Sequence, residues 1–347
     1  SMKEDLDGKQ SFVGLRIYAN MKICILIPAY DEAATIRETI DDYRRVFPSA
    51  VFVVIDNNST DATSEVARGA LNLKRDYLLS EEKQGKGSAV KAGLSRVSAD
   101  VYIMTDGDNT YPADDAAQLV DTLVKSRCDM AVGDRFSGGS YAAQNDRLGH
   151  SIGNRFLTWY ISVLAGQRYC DVLSGLRIMS RPFVSMLGIQ STGFQLEAEL
   201  NIVAAYTGAK VIECPTAYLK RPEGSQSKLS TWGDGLRIMW FAFINWIAFY
   251  PLQAFGLLAI VAFTVSGLLG VRVMAVFLET GLMPYPSSAV AAATAGLVGL
   301  QSLFSGLILY VNGQTQRRRD VAHFLEARRH WNAMIDKCSG GNEFPGR

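Results

Sequence analysis

An excess of charge of either sign is missing from this 347-residue sequence, in which 35 Lys and Arg stand against 34 Asp and Glu for a formal charge of +1. That balance argues against a protein that holds nucleic acid by bulk electrostatics. Charge is also scarce, at 20% of residues against 48% hydrophobic, which excludes a largely disordered chain. Cysteine is sparse and unpatterned: Cys24, Cys128, Cys170, Cys214 and Cys338 form no CxxC pair and no zinc-ligand spacing, so reduced cytosolic thiols are expected. The N-terminus lacks the apolar stretch of a signal peptide. Asn58-Ser-Thr matches a glycosylation sequon, which a cytoplasmic address leaves empty. Internal repeats and low-complexity tracts are also lacking. The length allows roughly two domains at about 150 residues each.

What is present in excess is apolar sequence, and it lies towards the C-terminal end. Leu252–Val271 and Ser287–Val311 carry no charge. About 20 apolar residues cross a hydrocarbon core, and neither run has the polar stripe of a soluble surface helix, so both are expected to span a membrane. The link between them contains Pro284 and Pro286, no Lys or Arg occurs between Arg272 and Arg317, and Arg317-Arg-Arg319 follows the second run. The positive-inside bias then puts both termini in the cytoplasm. Leu236–Tyr250, rich in Trp and Phe and stopped by Pro251, reads as a helix in the membrane interface. The basic tail after Arg317, with Phe324, Leu325, Arg328, Arg329 and Trp331, reads as a helix resting on anionic headgroups.

The N-terminal two thirds alternates short apolar runs with helical spacing. Lys22–Ile27, Val51–Ile55 and Val101–Thr105 read as buried strands, with Ile36, Ile40, Tyr43 and Phe47 at helical spacing between the first two. Such alternation predicts βαβ units and a parallel sheet, whose ligands gather at the carboxyl ends of the strands. Those ends read Pro-Ala-Tyr-Asp-Glu32, Asp56-Asn-Asn-Ser-Thr-Asp61 and Asp106-Gly-Asp108. Further on, helices are expected around 147–165 and 194–207, with a strand at Lys210–Cys214.

Two carboxylates one residue apart at a strand end suit a hard divalent cation, with substrate phosphates completing its shell. The plainer reading of Asp106-Gly-Asp108 is a turn. Asp61 reads as a helix cap, and Asp56 as a carboxylate facing ribose or base groups. Gln84-Gly-Lys-Gly87 lacks P-loop spacing and is either a flexible turn or a loop whose Lys86 reaches a diphosphate. Glu197 is a candidate for sugar hydroxyls or for a structural ion pair.

Together these motifs resemble glycosyltransferase family 2 and its nucleotide-sugar-binding GT-A fold. Gly133-Asp-Arg135, Arg147 with Ser151 and Asn154, Asp171-Val-Leu-Ser-Gly-Leu-Arg177, Gly193-Phe-Gln-Leu-Glu197 and Arg221-Pro-Glu-Gly-Ser-Gln-Ser-Lys228 look like the polyprenyl-phosphate glycosyltransferases, including the dolichol-phosphate mannose synthases and the bacterial undecaprenyl-phosphate glucosyltransferases. The resemblance covers about residues 22–235. It departs at Thr110, where mannose synthases usually have Gln, and this weakens the expectation of mannose.

The resemblance implies that Pro28, Tyr30, Glu32 and Asp56 hold the nucleoside, with Lys86 and Glu197 completing the nucleotide-sugar site. It puts Asp106 and Asp108 on Mg²⁺ or Mn²⁺, and Arg135, Arg147, Ser151, Arg221, Ser227 and Lys228 on a lipid phosphate. Asp108, Asp171 and Arg135 are the catalytic candidates. A phosphate monoester, with a second pKa of about 6, needs no strong base. Asp171, with Ser174 and Arg177, is therefore read mainly as orienting acceptor or sugar.

The expected architecture is α/β: a GT-A-type domain with a mostly parallel sheet, an interfacial helix and two transmembrane helices. Its parts are an N-terminal extension (1–20), a cytoplasmic catalytic domain (21–230), the interfacial helix (231–250), two spans within 251–312 (about 252–275 and 287–311) and a cytoplasmic basic tail (313–347). The expected activity transfers one hexose or N-acetyl sugar from a UDP- or GDP-linked donor to a polyprenyl phosphate, with inversion, on the cytoplasmic membrane face. The partners are the nucleotide sugar, the lipid acceptor, the bilayer and, in an oligomer, further copies of the chain. A processive polysaccharide synthase and a non-catalytic sugar-nucleotide sensor are the alternatives.

Overall fold

The computed structural model describes residues 21–137, 148–222 and 231–339. Strand and helix alternate from the start: β1 (Ile23–Ala29), α1 (Ile36–Val46), β2 (Val51–Asp56), α2 (Thr63–Ala70), β3 (Tyr77–Ser80), α3 (Lys86–Arg96), β4 (Val101–Met104) and α4 (Ala113–Lys125). Then come β5 (Met130–Asp134), α5 (Leu148–Ala165), β6 (Arg177–Ser180), α6 (Arg181–Ser185), α7 (Leu196–Thr207) and β7 (Val211–Pro215). Three long helices follow, α8 (Thr231–Phe249), α9 (Pro251–Thr280) and α10 (Pro286–Ser339).

The strands form one sheet in the order β3-β2-β1-β4-β6-β5-β7. β1 to β4 pair in parallel, β6 runs antiparallel to both its neighbours, and β5 pairs with β7 in parallel. Two reversals restore direction, so β5 and β7 point the same way as β4. The carboxyl ends of β1, β2, β4, β5 and β7, together with the amino end of β6, therefore share one edge. The loops bearing Asp31, Asn57, Asp106 and Asp108 emerge there.

The strands read as continuous apolar runs because both sheet faces are covered. Ile23, Ile25 and Ile27 point into a core with Ile36, Ile40 and Tyr43 of α1 and Leu119 and Leu123 of α4. The alternate residues Cys24 and Leu26 point into a second core with Ala89 and Val90 of α3 and Leu196 and Leu200 of α7. That side assignment follows from the two-residue side-chain period of a strand.

The chain divides into two compact units, residues up to 242 with 322 onward, and Phe243–Val321. In the second unit α9 and α10 are each long and apolar enough to cross a membrane. Small residues bring these two helices together. Gly299 lies against the Phe263 ring and Gly306 against Phe255, while the Ser266 hydroxyl donates to the Ala292 carbonyl at 2.7 Å. Close approach through such residues is how helices associate where water cannot drive them together.

The C-terminal segment corrects one expectation. α10 runs unbroken past the basic Arg317-Arg-Arg319 to Ser339, and its last turns pack on the first unit. Phe324 enters the second core and Trp331 and Ile335 the first. Arg328 meets Asp129 at 3.2 Å, and Arg127 pairs with Asp336. An apolar stripe that suits a lipid surface equally suits a protein core, and here it is buried by protein.

Phe324→Ala is expected to destabilise the first unit by about 3–5 kcal/mol, as a large aromatic leaves a cavity. Leu325→Ala, on the exposed face of the same turn, should stay within about 0.5 kcal/mol. Unfolding midpoints of the full chain in detergent check both, and equal effects would mean that Phe324 is not a core residue.

Candidate active site

Three strand-end loops build the site, and each turns through a left-handed residue. Asp31 after β1, Asn58 after β2 and Asn109 after β4 have φ of 51°, 63° and 56°. Among residues with a side chain, Asn and Asp enter this region most readily, which explains the Asx-rich sequence there. The loops are tied together. The Ala33 backbone N–H donates to Asp61 at 3.1 Å, that of Thr60 to Asp31 at 2.7 Å, and the Thr35 and Thr39 hydroxyls donate to the Gly107 carbonyl at 2.8 and 3.2 Å. Asp61 also accepts from the Thr63 backbone at 2.9 Å, although the N-cap position itself is Ala62, one residue later than the expected cap.

The lysine loop is pinned rather than slack. The Asn57 side chain donates to the Glu81 and Lys83 carbonyls and accepts from the Gly85 N–H at 2.6 Å. Gly85 has φ +128°, and a Cβ there would strike the Thr192 carbonyl. Only glycine lets this backbone lie against residues 191–193, and that contact presents Lys86 inward. Sequence reasoning missed Asn57, whose signal is its place directly after the strand-end Asp56.

Pro28, Tyr30, Glu32, Asn57, Lys86, Asp106, Asp108, Phe194 and Arg221 line a cavity of about 240 Å³. Within it the charges are paired. The Lys86 ammonium sits 2.6 Å from Asp106 and 2.6 Å from Glu197, and Arg221 lies 2.7 Å from Asp108. Burial alone would lower the Lys86 pKa, but the two carboxylates raise it well above its ordinary value. Burial would likewise raise Asp106, yet Lys86, then Arg221 and Arg135, hold it below the usual carboxylate range. Asp108 goes the other way: burial and the neighbouring Asp106 charge push its carboxyl up, against the pull of Arg221. Two neighbouring carboxylates, Asp108 buried and Asp106 partly so, that raise one another's cost are a donor set a divalent cation relieves. Among the described residues no cluster of three or more His, Cys, Asp or Glu surrounds them, which fits an ion whose remaining ligands are substrate oxygens.

Thr110 is turned away from that role. Its hydroxyl donates to Asp108 at 2.6 Å, so it orients the second carboxylate. Gly175 presses on the first: a Cβ there would overlap both Asp106 carboxylate oxygens, and the Gly175 N–H donates to the Tyr111 hydroxyl at 2.9 Å. The loop bearing Gly175 is held by Arg177, whose guanidinium donates to the Val172 and Ser174 carbonyls at 2.6 and 3.1 Å.

Asp171 and Arg177 are both fully buried. The two Asp171 oxygens are taken by Arg135, from Nε at 2.6 Å and Nη2 at 2.8 Å, in the bidentate geometry that fixes a guanidinium plane. Glu213 holds Asp171 in turn, accepting from the Asp171 and Cys170 backbone at 2.9 and 2.7 Å. Asp171 is thus a positioning residue for Arg135. Arg221 lines the cavity against Asp108, and its buried Nε has no hydrogen-bond partner. Asp56 ends β2 and accepts from the Ser59 N–H at 3.2 Å. The Arg147, Ser227 and Lys228 positions and the Ser151 side chain lie outside the described residues.

Comparison with known proteins agrees with this geometry. Residues 24–180 match the family described as Glycosyl transferase family 2. A relative from Haloferax volcanii named Glycosyltransferase AglJ is 36% identical over 214 residues, 61% of this chain and 68% of the relative. A Dolichyl-phosphate hexose transferase of the same organism is 30% identical over 219 residues, 62% of this chain and 90% of that one. Among solved structures, glucosyl-3-phosphoglycerate synthase from Mycobacterium tuberculosis, in complex with Mn²⁺, uridine diphosphate and phosphoglyceric acid, superposes with a TM-score of 0.52 at 19% identity, covering 69% of this chain and 82% of that one. That likeness is one of fold, and the fold is GT-A. This chain is a glycosyltransferase and belongs to glycosyl transferase family 2.

Proposed function

We propose that the protein transfers a single sugar from a nucleoside-diphosphate sugar to a polyprenyl phosphate at the cytoplasmic face of a membrane that α9 and the first part of α10 cross. The observation that carries this reading is the cavity in which Asp106 and Asp108 are held against Lys86 and Arg221, on the same chain as two helices apolar enough to span a bilayer. The H. volcanii dolichyl-phosphate hexose transferase supports the acceptor class, and the Mn²⁺ and uridine diphosphate of the mycobacterial structure support a metal-bound donor.

In this reading Pro28, Tyr30, Glu32 and Asp56 hold the nucleoside, while Asp106 and Asp108 hold Mg²⁺ or Mn²⁺ on the diphosphate. When bound, that ion neutralises charge developing on the departing diphosphate. Lys86 leaves part of its pairing to meet the same phosphates, and Glu197, whose second oxygen is buried without a partner, takes a sugar hydroxyl. Arg135, aimed by Asp171, receives the acceptor phosphate with Arg147, Ser151, Arg221, Ser227 and Lys228. An acceptor oxygen attacks the anomeric carbon opposite the bond to the diphosphate, so configuration inverts. The acceptor is already deprotonated at neutral pH, its second pKa being about 6, and no protein base is required.

Membranes holding the full chain are to be incubated in turn with labelled UDP-glucose, UDP-N-acetyl sugars and GDP-mannose. Label extracted into organic solvent and released by mild acid is the expected outcome; label in long polymer would instead identify a processive synthase, and no incorporation at all a sensor. Asp108→Asn should slow transfer by about 10²–10³-fold, the effect of losing one transition-state charge contact of roughly 3–4 kcal/mol. Chelation by EDTA should stop transfer and Mg²⁺ or Mn²⁺ restore it. Full activity after verified metal removal would overturn the metal assignment.

Asp171→Asn separates positioning from base catalysis. It removes one oxygen from the Arg135 fork, so KM for the acceptor should rise by about 10-fold or more, one charge-assisted contact of roughly 1.5–3 kcal/mol, with kcat near the parent value. A general base at this position would instead lower kcat by about 10²–10⁴-fold.

A further inference from the structure

We propose that Glu199 is a positioning residue for the donor diphosphate, acting on Lys86 through the loop at 190–193. The inference rests on the reading above that brings Lys86 to the diphosphate, and it extends that site to a buried carboxylate of α7. α7 carries Glu197 and Glu199 in its first turn. Residues two apart on a helix lie about 200° apart, so the two side chains leave in nearly opposite directions. Glu197 meets the Lys86 ammonium at 2.6 Å. Both oxygens of Glu199 are instead taken by backbone, accepting from the Gln190 and Ser191 N–H groups at 2.8 and 3.0 Å. Hydrogen bonds to a carboxylate are about twice as strong as neutral ones, and here a pair of them holds a stretch that belongs to no helix or strand.

The same stretch forms the wall behind the glycine turn of α3. The Thr192 carbonyl accepts from the Ser88 N–H at 3.0 Å, filling one of the donors that the first turn of a helix leaves open. The N-cap of α3 is Gly85 and offers no side chain for that purpose. The Thr192 carbonyl also lies against Gly85, and the Ser191 carbonyl against Gly87, so closely that a Cβ on either glycine would overlap it. Lys86 stands between these two glycines. Its backbone is therefore fixed by Asn57, which accepts from the Gly85 N–H, and by the Ser191 and Thr192 carbonyls, which Glu199 keeps in place.

The hold matters because a lysine stem is flexible. The ammonium reaches Asp106 and Glu197, both at 2.6 Å, from a backbone that has been placed for it. One helix thus sets Lys86 twice, through Glu197 at the ammonium and through Glu199 at the main chain. Glu199→Gln puts an amide donor against a backbone donor. That side of the loop has to move away, and the wall behind Gly85 and Gly87 moves with it.

The test measures nucleotide binding by calorimetry on the full chain in detergent with Mn²⁺, using whichever of UDP and GDP the parent binds more tightly. Glu199→Gln should weaken binding by about 10-fold, the scale of one charge-assisted contact. Gly87→Ala, which pushes on the same wall from the α3 side, should weaken it likewise. Lys86→Gln should weaken it at least as much. Added to Lys86→Gln, either change should weaken binding by no more than about a further twofold, since the wall then has no ammonium to place. Equal losses in the parent and Lys86→Gln backgrounds would mean that Glu199 serves only the fold, and overturn the proposal. So would a folded Glu199→Gln that binds as the parent does. Where Glu199→Gln does not fold, the Gly87→Ala cycle decides by the same criterion. Lys86→Gln binding as tightly as the parent, or a parent that binds neither nucleotide, refutes the donor site as read above, and the proposal with it. Loss in Lys86→Gln without loss in Glu199→Gln refutes the positioning role alone.

Discussion

The site is organised around charge that has been taken out of water. Asp106, Asp108 and Glu197 are carboxylates at the mouth of a sheet buried on both faces, and each is kept in place by a cation: Lys86 between Asp106 and Glu197, Arg221 on Asp108. Removing one partner of such a pair strands the other in a poorly solvated environment, at a cost of about 3–5 kcal/mol. The loops have therefore been shaped to keep every partner within reach. Gly85 yields to the Thr192 carbonyl so that Lys86 can point inward, Gly175 yields to Asp106, and Thr110 holds the carboxylate that Arg221 faces. In the proposed function a donor diphosphate would meet cations already gathered and carboxylates already oriented.

The same economy explains the second layer. Asp171 is closed off from water; it holds the plane of Arg135, and Glu213 holds Asp171. Arg177, a fully buried guanidinium whose pKa burial lowers, donates to carbonyls of the loop it anchors. Strand β6 runs against its neighbours so that this loop can begin at the same edge as Asp106. Its reversed direction places Gly175 beside the first carboxylate.

Much of this could be read in advance, and the physical reasons for what could not are specific. β1, β2 and β4 were legible because a strand covered on both faces must be apolar throughout, and the Asp-rich stretches after them mark the functional edge. β5 and β6 were not read as strands, although at five and four residues they are no shorter than β7 and β4. Asp106 and Asp108 were legible from their strand-end position, and Lys86 from its glycine turn. The pairing of Asp171 with Arg135 joins residues 36 apart, a distance no local pattern spans, so it was not legible. The tail failed for a different reason: Phe324, Trp331 and Ile335 form a stripe whose partner could be lipid or protein, and sequence alone does not say which surface waits for it.

That docked tail has a consequence for how the protein is made. The catalytic unit is discontinuous, its last aromatic pieces lying beyond both apolar helices in the chain. A ribosome delivers residues 21–242 first, then the hairpin of α9 and α10, and only afterwards Phe324, Trp331 and Ile335. Both cores receive these side chains only after the apolar hairpin has been made, so a chain truncated after that hairpin would leave each core short of them.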